Sequence, residues 1–483
     1  MQGRIKVDPE RRIGAVDRKL YGNFVEHLGR CIYGGIYQPG SPLADERGFR
    51  RDVAEAVRRL QVPILRWPGG NFVSGYHWLD GVGPRPERPR RMELAWHTIE
   101  SNQFGTDEFV EYCRLVGAEP YICVNMGSGT MDEAAGWVEY CNGREDTHFA
   151  GLRRRYGHPE PYRVEYWGLG NEVYGQWQIG HKSAEDYAKA ALEFAKVIKW
   201  TDPSAKLVAC GAQRVDWDWE VLTRVGRHVE YISAHFYWGA QPGEDPYYSV
   251  AAGPFLAEEY LRVLAELVRG ARRELKIEHP ILIAVDEWNV WYRHRRPPLE
   301  ERYDLADALV VATFLNILRR NCRTIGMANL AQLVNVIAPI FTSDEGLFYQ
   351  TIYWPLFAAA NYGGPVALDA WVESEGFDAP RLLARQAPYL DVCATLDEAA
   401  GRLYLSIVNL HRGEGAEIAV DVGSLRPTGA IEHLISGQAI DAANSFESPD
   451  DVRLVSREVS ASGGRFVYTL PAHSAAVLEL TLR

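Results

Sequence analysis

The chain has 483 residues, 47% hydrophobic and 24% charged, a profile typical of a soluble globular protein and long enough for two domains. Its 52 basic and 64 acidic residues leave a net charge of −12, which argues against a nucleic-acid binder with its basic face. No stretch approaches the roughly 20 apolar residues of a membrane span. The opening Met1-Gln2-Gly3-Arg4-Ile5-Lys6-Val7 lacks the apolar run of a secretion signal, so a cytoplasmic protein with no membrane partner is expected.

From residue 18 to 365, short apolar runs alternate with longer amphipathic stretches. Candidate strands cover residues 21–26, 64–69, 120–125, 165–172, 207–211, 232–237, 281–288 and 328–334. Candidate helices include 52–60, 106–116, 183–201, 257–274 and 304–320. In the last of these, Leu305, Leu309, Val310, Thr313, Phe314, Ile317 and Leu318 recur at helical spacing. Eight strand–helix units predict an α/β fold of the (β/α)8 TIM-barrel type with long loops. The rival, a doubly wound sheet, usually carries a glycine-rich phosphate turn after its first strand, and none is present.

Beyond residue 365 the pattern shifts to period two, as in 402–410, 416–422, 465–470 and 474–482, separated by Gly, Pro, Ser and Asp. This predicts an all-β, jelly-roll-like sandwich over 366–483, joined by a strand from residues 1–17, after a catalytic barrel over 18–365. No low-complexity linker separates the two parts, so they are expected to pack rigidly. The seven cysteines, at 31, 113, 123, 141, 210, 322 and 393, form no Cys-x-x-Cys pair. Neither a zinc site nor a disulfide framework is indicated.

Two motifs carry the chemistry. Trp167-Gly168-Leu169-Gly170-Asn171-Glu172 and Ile283-Ala284-Val285-Asp286-Glu287-Trp288-Asn289 each read as a buried strand that ends in a carboxylate. Either glutamate alone would also suit a helix N-terminus, where the dipole favours negative charge. Both at strand ends of one barrel point instead to a shared pocket, where one acid donates a proton and the other attacks a carbon. Other strand ends deliver Glu26, Arg66, Asn71, His235, Tyr237, Gln332 and Asn335. Arginine there can hydrogen-bond a neighbouring carboxylate. Amides suit sugar hydroxyls, since one group both donates and accepts. A lone histidine is more often a hydrogen-bonded core group, so His235 ranks as a supporting residue. Of the 14 tryptophans, Trp96, Trp177 and Trp291 are the candidates for packing against a sugar face. Metalloprotease, P-loop and serine-hydrolase motifs are missing from the sequence.

The runs Tyr21-Gly22-Asn23-Phe24-Val25-Glu26-His27-Leu28-Gly29, Leu65-Arg66-Trp67-Pro68-Gly69-Gly70-Asn71-Phe72, Gly168-Leu169-Gly170-Asn171-Glu172 and Asp286-Glu287-Trp288-Asn289-Val290-Trp291-Tyr292 resemble the α-L-arabinofuranosidases of glycoside hydrolase family 51. Asp80-Gly81-Val82-Gly83-Pro84 and Ala331-Gln332-Leu333-Val334-Asn335-Val336-Ile337-Ala338-Pro339 fit the same pattern. The resemblance implies a retaining double displacement on arabinose-containing oligosaccharides, with Glu172 as general acid/base and Glu287 as nucleophile. It further implies that Arg66 pairs with Glu287 and that Asn171 contacts the sugar 2-hydroxyl. Glu26, Asn71 and Gln332 would hold the other hydroxyls, and Tyr237 would position the nucleophile with His235 nearby. Trp96, Trp177 and Trp291 would wall the pocket. A raised Glu172 pKa is expected, because the charge on Glu287 opposes its ionisation. No metal or organic cofactor is implied, and a homohexamer is.

Two positions depart from the family pattern. Trp67 stands where tyrosine is expected, and residues 293–298, Arg-His-Arg-Arg-Pro-Pro, are a short basic stretch in place of a long loop on the leaving-group side. Two other readings compete. A β-glycanase or β-xylosidase would use the same barrel. A non-catalytic sugar-binding protein would have no need for two apposed carboxylates, whose repulsion costs stability.

Overall fold

The computed structural model describes residues 1–292 and 299–483. Eight parallel strands close into a barrel in chain order: Gly22–Phe24 (β1), Ile64–Trp67 (β2), Glu119–Val124 (β3), Tyr166–Leu169 (β4), Lys206–Ala209 (β5), Tyr231–Trp238 (β6), Leu282–Val290 (β7) and Ile325–Ala331 (β8). Closure excludes the open doubly wound sheet. The strands are buried nearly throughout, as expected where helices cover the outside and side chains fill the inside. Ile64, Tyr121, Tyr166, Val208, Tyr231, Ala284 and Met327, one from each of β2 to β8, form a separate apolar cluster that plugs the barrel. No helix among the described residues is long and apolar enough to cross a membrane.

Two strand boundaries differ from expectation in ways that matter for chemistry. β4 stops at Leu169, because Gly170 takes φ +76° and Glu172 φ +42°, both left-handed. A non-glycine residue there is uncommon and marks a constrained site. Glu172 therefore lies on a turn beyond β4. Glu287 does not end its strand: β7 runs on to Val290, since Asn289 and Val290 still pair with Tyr237 and Trp238 of β6. Between Ala284 and Glu287 the register against β6 shifts by one residue. Such a bulge re-aims side chains, and here it lets the consecutive Asp286 and Glu287 reach the same neighbours.

The expected C-terminal sandwich is built from one nine-stranded sheet that folds over on itself. The N-terminal strand Gln2–Ala15 lies inside it, antiparallel to Val366–Ser374 and parallel to Ala416–Asp421. The two ends of the sheet meet where Tyr468 of Arg465–Leu470 donates to the buried Glu432 of Pro427–Ser436 at 2.6 Å. Apolar residues of eight strands, from Ile5 to Leu480, share the enclosed core.

The helix Leu305–Arg320 joins barrel and sheet. Asp304 and Asp307 close a capping box at its start. The helix is buried almost all round, because it is covered on both sides. At its end, Arg320 bridges Glu258 of the helix Gly253–Leu275 at 2.8 Å and Asp391 of the sheet strand Leu390–Asp397 at 2.5 Å. Asp391 also accepts from Asn316 at 2.8 Å.

Arg320→Met would leave Asp391 buried without its cation and Glu258 with only the exposed Arg262, so the variant is expected to lose about 3 kcal/mol of stability in denaturant titration. Burial raises the Glu258 pKa, but the hydrogen bond and charge of Arg320 outweigh it and hold the carboxyl at about 2, against an ordinary value of 4.5. A depressed folded-state pKa gives stability that is full above the unfolded value and lost on acidification. The gap between wild type and variant should therefore narrow as pH falls from 4.5 toward 2.

Candidate active site

At the C-terminal end of the barrel, β2, β4, β6 and β7 deliver charged groups to one point. Arg66 on β2 is fully buried and uses each nitrogen differently. Its Nη1 donates to Glu287 Oε1 at 2.7 Å and its Nη2 to Asn171 Oδ1 at 2.6 Å. Its Nε lies 3.5 Å from Asp286 Oδ2, which also accepts from the Tyr121 hydroxyl at 2.8 Å. Glu287 accepts a further hydrogen bond from the Tyr237 hydroxyl at 2.9 Å.

His235 on β6 sits between the acids. Its Nδ1 lies 2.9 Å from Glu172 Oε1 and 3.5 Å from Glu287 Oε2, and its Nε2 lies 3.2 Å from Asp286 Oδ1. Burial alone would lower its pKa, but the charge of Glu287, the close approach of Asp286 and the hydrogen bond to Glu172 push it up to about 10. His235 is thus an imidazolium at neutral pH. Glu172 accepts two more hydrogen bonds, from the Tyr174 hydroxyl at 3.1 Å and Trp177 Nε1 at 3.0 Å.

The expectation of a raised Glu172 pKa is corrected here. Burial does raise it, but the hydrogen bond and charge of His235, with the Trp177 and Tyr174 donors, pull it below its ordinary value. The nearest charge to Glu172 is His235, which the sequence offered as a supporting residue near the nucleophile but not as the cation between the two glutamates.

A cavity of about 620 Å³ opens over this cluster, within the size range of small-molecule sites. Glu26, Gly70, Asn71, Trp96, Glu172, Trp177, His235, Tyr237, Glu287, Trp291 and Gln332 all line it. Glu26 Oε1 accepts from the Phe72 amide and Trp96 Nε1, both at 3.0 Å, and its Oε2 accepts from Gln332 Nε2 at 2.9 Å. Burial pushes the Glu26 pKa up to about 7. Gly69, at φ +151°, allows this packing, since a Cβ there would lie 2.5 Å from Glu26 Cγ. Asn171 Nδ2 and Gln332 Oε1 are buried without a hydrogen-bond partner, as groups kept for a polar ligand would be. Trp177 is 64% exposed and forms the outer wall, while Trp291 meets Tyr237 edge-on at 5.4 Å.

Ten of the thirteen site residues named from the sequence therefore border the cavity. Arg66 and Asn171 lie beneath its floor and act on it through Glu287 and their own hydrogen bond. Asn335 lies elsewhere: it donates to the Arg30 carbonyl at 2.9 Å and ties loops together. Trp67 is buried away from the cavity, stacked on Phe109 at 4.9 Å, and donates to His27 Nε2 at 3.0 Å, so its departure from the family pattern falls in the core. The basic segment 293–298 lies outside the described residues.

Tyr174, Gln213, Asp286 and Tyr121 were missed as site residues. Tyr174 and Gln213 also line the cavity, and Gln213 sits at φ +51°. Alternation along a strand would turn Asp286 away from Glu287; only the bulge brings them together. Glu172, His235 and Glu287 offer three ligand atoms within 4.8 Å of one another. They do not fit a metal ion, because both nitrogens of His235 face carboxylates and a protonated imidazole has no free lone pair.

The α-L-arabinofuranosidase 1 domain matches residues 56–250 of the chain, and the α-L-arabinofuranosidase C-terminal domain matches residues 286–474. The chain is 40% identical over 499 residues to α-L-arabinofuranosidase C of Emericella nidulans, covering 98% of this chain and 97% of that one. It is 41% identical over 451 residues to an intracellular exo-α-(1→5)-L-arabinofuranosidase of Halalkalibacterium halodurans, covering 89% of each. The solved structure of the thermostable family 51 α-L-arabinofuranosidase of Thermotoga petrophila superposes with a TM-score of 0.93 at 43% identity, covering 99% of this chain and 100% of that one. Likeness of this extent runs through both the barrel and the sheet, and the chain belongs to the α-L-arabinofuranosidases of glycoside hydrolase family 51.

Proposed function

We propose that this enzyme removes terminal non-reducing α-L-arabinofuranosyl residues from arabinan- and arabinoxylan-derived oligosaccharides with retention of configuration. One observation supports the retaining course above others. An oxygen of Glu172 and one of Glu287 lie within 4.8 Å across the cavity. Retaining glycosidases hold their carboxyls about 5–5.5 Å apart, whereas inverting ones need about 6.5–9.5 Å to admit a water.

In this reading Glu287 attacks the anomeric carbon while Glu172 protonates the departing glycosidic oxygen. The carbon–oxygen bond to the leaving group breaks and an arabinofuranosyl ester forms on Glu287. Glu172 then takes a proton from water, the water oxygen attacks the same carbon, and the ester bond breaks to free L-arabinose. Arg66 and Tyr237 hold the Glu287 oxygens in place for attack. Asn171 would meet the 2-hydroxyl, and Glu26, Asn71 and Gln332 the remaining hydroxyls of the furanose. Trp96, Trp177 and Trp291 would bound the ring and the leaving group. No metal or organic cofactor takes part. The enzyme acts in the cytoplasm on oligosaccharides taken up from outside, a location supported by the relative named intracellular, and as a homohexamer, which light scattering of the purified protein would test.

The deciding experiment is turnover of an aryl α-L-arabinofuranoside beside an aryl β-xyloside and a soluble β-glucan, with the first-formed product anomer read by NMR. Arabinofuranoside turnover with retention is expected. Turnover of only the other two substrates, or inversion, would overturn the reading. Glu287→Ala should lose essentially all activity. Glu172→Ala should lose roughly 10²–10⁴-fold on substrates whose leaving group needs a proton, and azide should restore turnover of activated ones.

A second expectation concerns Gly70. A Cβ there would stand 3.2 Å from Glu287 Oε1, 3.4 Å from Glu26 Oε2 and 3.5 Å from Asn171 Nδ2. Its φ of −78° is paired with a ψ of −103°, outside the regions a non-glycine residue ordinarily adopts, so Gly70→Ala should lower Tm. Displacing three site groups by a few tenths of an ångström should also cut kcat/KM by roughly tenfold or more. An unchanged kcat/KM at an unchanged Tm would show that these groups yield without cost.

A further inference from the structure

Asp286 takes no part in the two-glutamate scheme, yet it is buried at the centre of the charged layer. Its Oδ2 is occupied by the Tyr121 hydroxyl at 2.8 Å and the Arg66 Nε at 3.5 Å. Its Oδ1 accepts no conventional hydrogen bond from any described residue and faces His235 Nε2 at 3.2 Å. The opposite ring nitrogen of His235 faces Glu172 Oε1 at 2.9 Å. Asp286, His235 and Glu172 thus lie in order as acid, imidazole and acid, an ion-pair contact on one side of the ring and a hydrogen bond on the other, with the last member in the cavity and the first sealed from it. The β7 bulge is what puts Asp286 within reach of the ring.

We propose that Asp286 is a positioning residue for the proton that Glu172 donates. It fixes His235 as an imidazolium whose Nδ1 proton passes to Glu172 as the glycosidic bond breaks and returns when the intermediate is hydrolysed. This rests on the arabinofuranosidase reading and adds to it the source of the proton. In the first half-reaction the Nδ1–H bond breaks, Glu172 gains that proton and gives one to the leaving oxygen, and His235 becomes neutral while it keeps the Nε2–H that faces Asp286. In the second half-reaction Glu172 takes a proton from the attacking water and hands it to Nδ1, restoring the imidazolium. The proton count closes over the cycle with no other reagent.

The geometry resolves a conflict in the resting site. Glu172 must act as an acid, yet the hydrogen bonds around it favour its charged form. Held on His235, the proton stays one hydrogen bond away across the neutral range. The surrounding charged and titratable groups are Tyr237 on β6, Glu287 and Asp286 on β7, Arg66 on β2, and Tyr121 and Cys123 on β3. Tyr174 and Glu172 follow β4, Cys210 follows β5 and Glu26 follows β1. Among those contacting His235, Asp286 is the acid outside the two-glutamate chemistry, so its charge can be removed without touching the nucleophile or the acid/base.

Asp286→Asn tests this with two substrates, phenyl and 2,4-dinitrophenyl α-L-arabinofuranoside, each followed as kcat/KM against pH. Dinitrophenolate leaves without a proton, whereas phenolate needs one. The variant is expected to lose roughly 10- to 100-fold more on the phenyl substrate than on the dinitrophenyl one. The alkaline limb of its phenyl profile should move down by about one pH unit or more, since the imidazolium has lost a charge that favours it. Equal losses on both substrates with an unmoved limb would make Asp286 a structural group only and overturn the proposal.

Should Asp286→Asn fail to fold, wild-type enzyme with ¹⁵N-labelled histidine decides. The His235 resonances, identified by their loss in His235→Gln, should report an imidazolium at pH 8, and a neutral ring there would overturn the proposal. Failure of the arabinofuranosidase reading looks different: wild type would turn over neither substrate.

Discussion

Three carboxylates and two cations share one nearly dry layer at the end of the barrel, and neither set could be buried without the other. Desolvating a single charge costs several kcal/mol after relaxation, which only close, well-directed partners offset. Arg66 and His235 meet this demand in different ways. Arg66 spreads a planar, permanent charge over Glu287, Asn171 and Asp286 through three separate nitrogens. His235 supplies a charge that can be surrendered, and it touches all three acids. The layer is therefore a fixed cation and a titratable one set against the same acids. Lysine could not replace Arg66, because a point charge cannot satisfy three partners in a plane.

The fold supplies this arrangement through departures from regular geometry. An ideal β7 would send Asp286 and Glu287 to opposite sides, and an ideal β4 would carry Glu172 onward in line with the strand. The bulge and the left-handed turn correct both. Below them, the plug of Ile64, Tyr121, Val208 and their neighbours closes the barrel, and Tyr121 reaches up from that plug to donate to Asp286 in the charged layer. The site is thus seated on a packed core rather than over a channel, which limits the water available to weaken its ion pairs.

Much of this was legible in the residues. The alternation of apolar runs and amphipathic stretches is a direct trace of a parallel barrel, and Glu172 and Glu287 stood out because a buried strand has no structural need for them. Gln332 was found from residue type and position at a strand end, and Trp96 from residue type and the family resemblance. What stayed hidden was geometry that no periodicity encodes. Asp286 and Tyr174 lie beside recognised motifs, but their roles depend on a one-residue bulge and a left-handed turn. The Glu172 pKa was misjudged for the same reason: one-dimensional spacing brings the two glutamates together but does not reveal the histidine from β6 between them. Gln213 carries no local signal beyond a polar residue after a strand.

The strand Gln2–Ala15 has a consequence for how the polypeptide assembles. It is laid down before any of the barrel, yet its partners are Val366–Ser374 and Ala416–Asp421. During synthesis it must wait, unpaired on both edges, while the whole barrel sequence emerges. The buried helix Leu305–Arg320 waits too, because sheet residues such as Ile435 and Val477 are part of its cover. Folding therefore cannot proceed strictly from the leading end. The barrel has to hold itself together with one apolar side open until the last hundred residues arrive and thread around a strand made at the start. Contacts of such long sequence separation are slow to form and leave strand edges exposed to wrong partners meanwhile. The Arg, Lys and Glu side chains that stud Gln2–Ala15 are the kind of residue that keeps a waiting edge soluble.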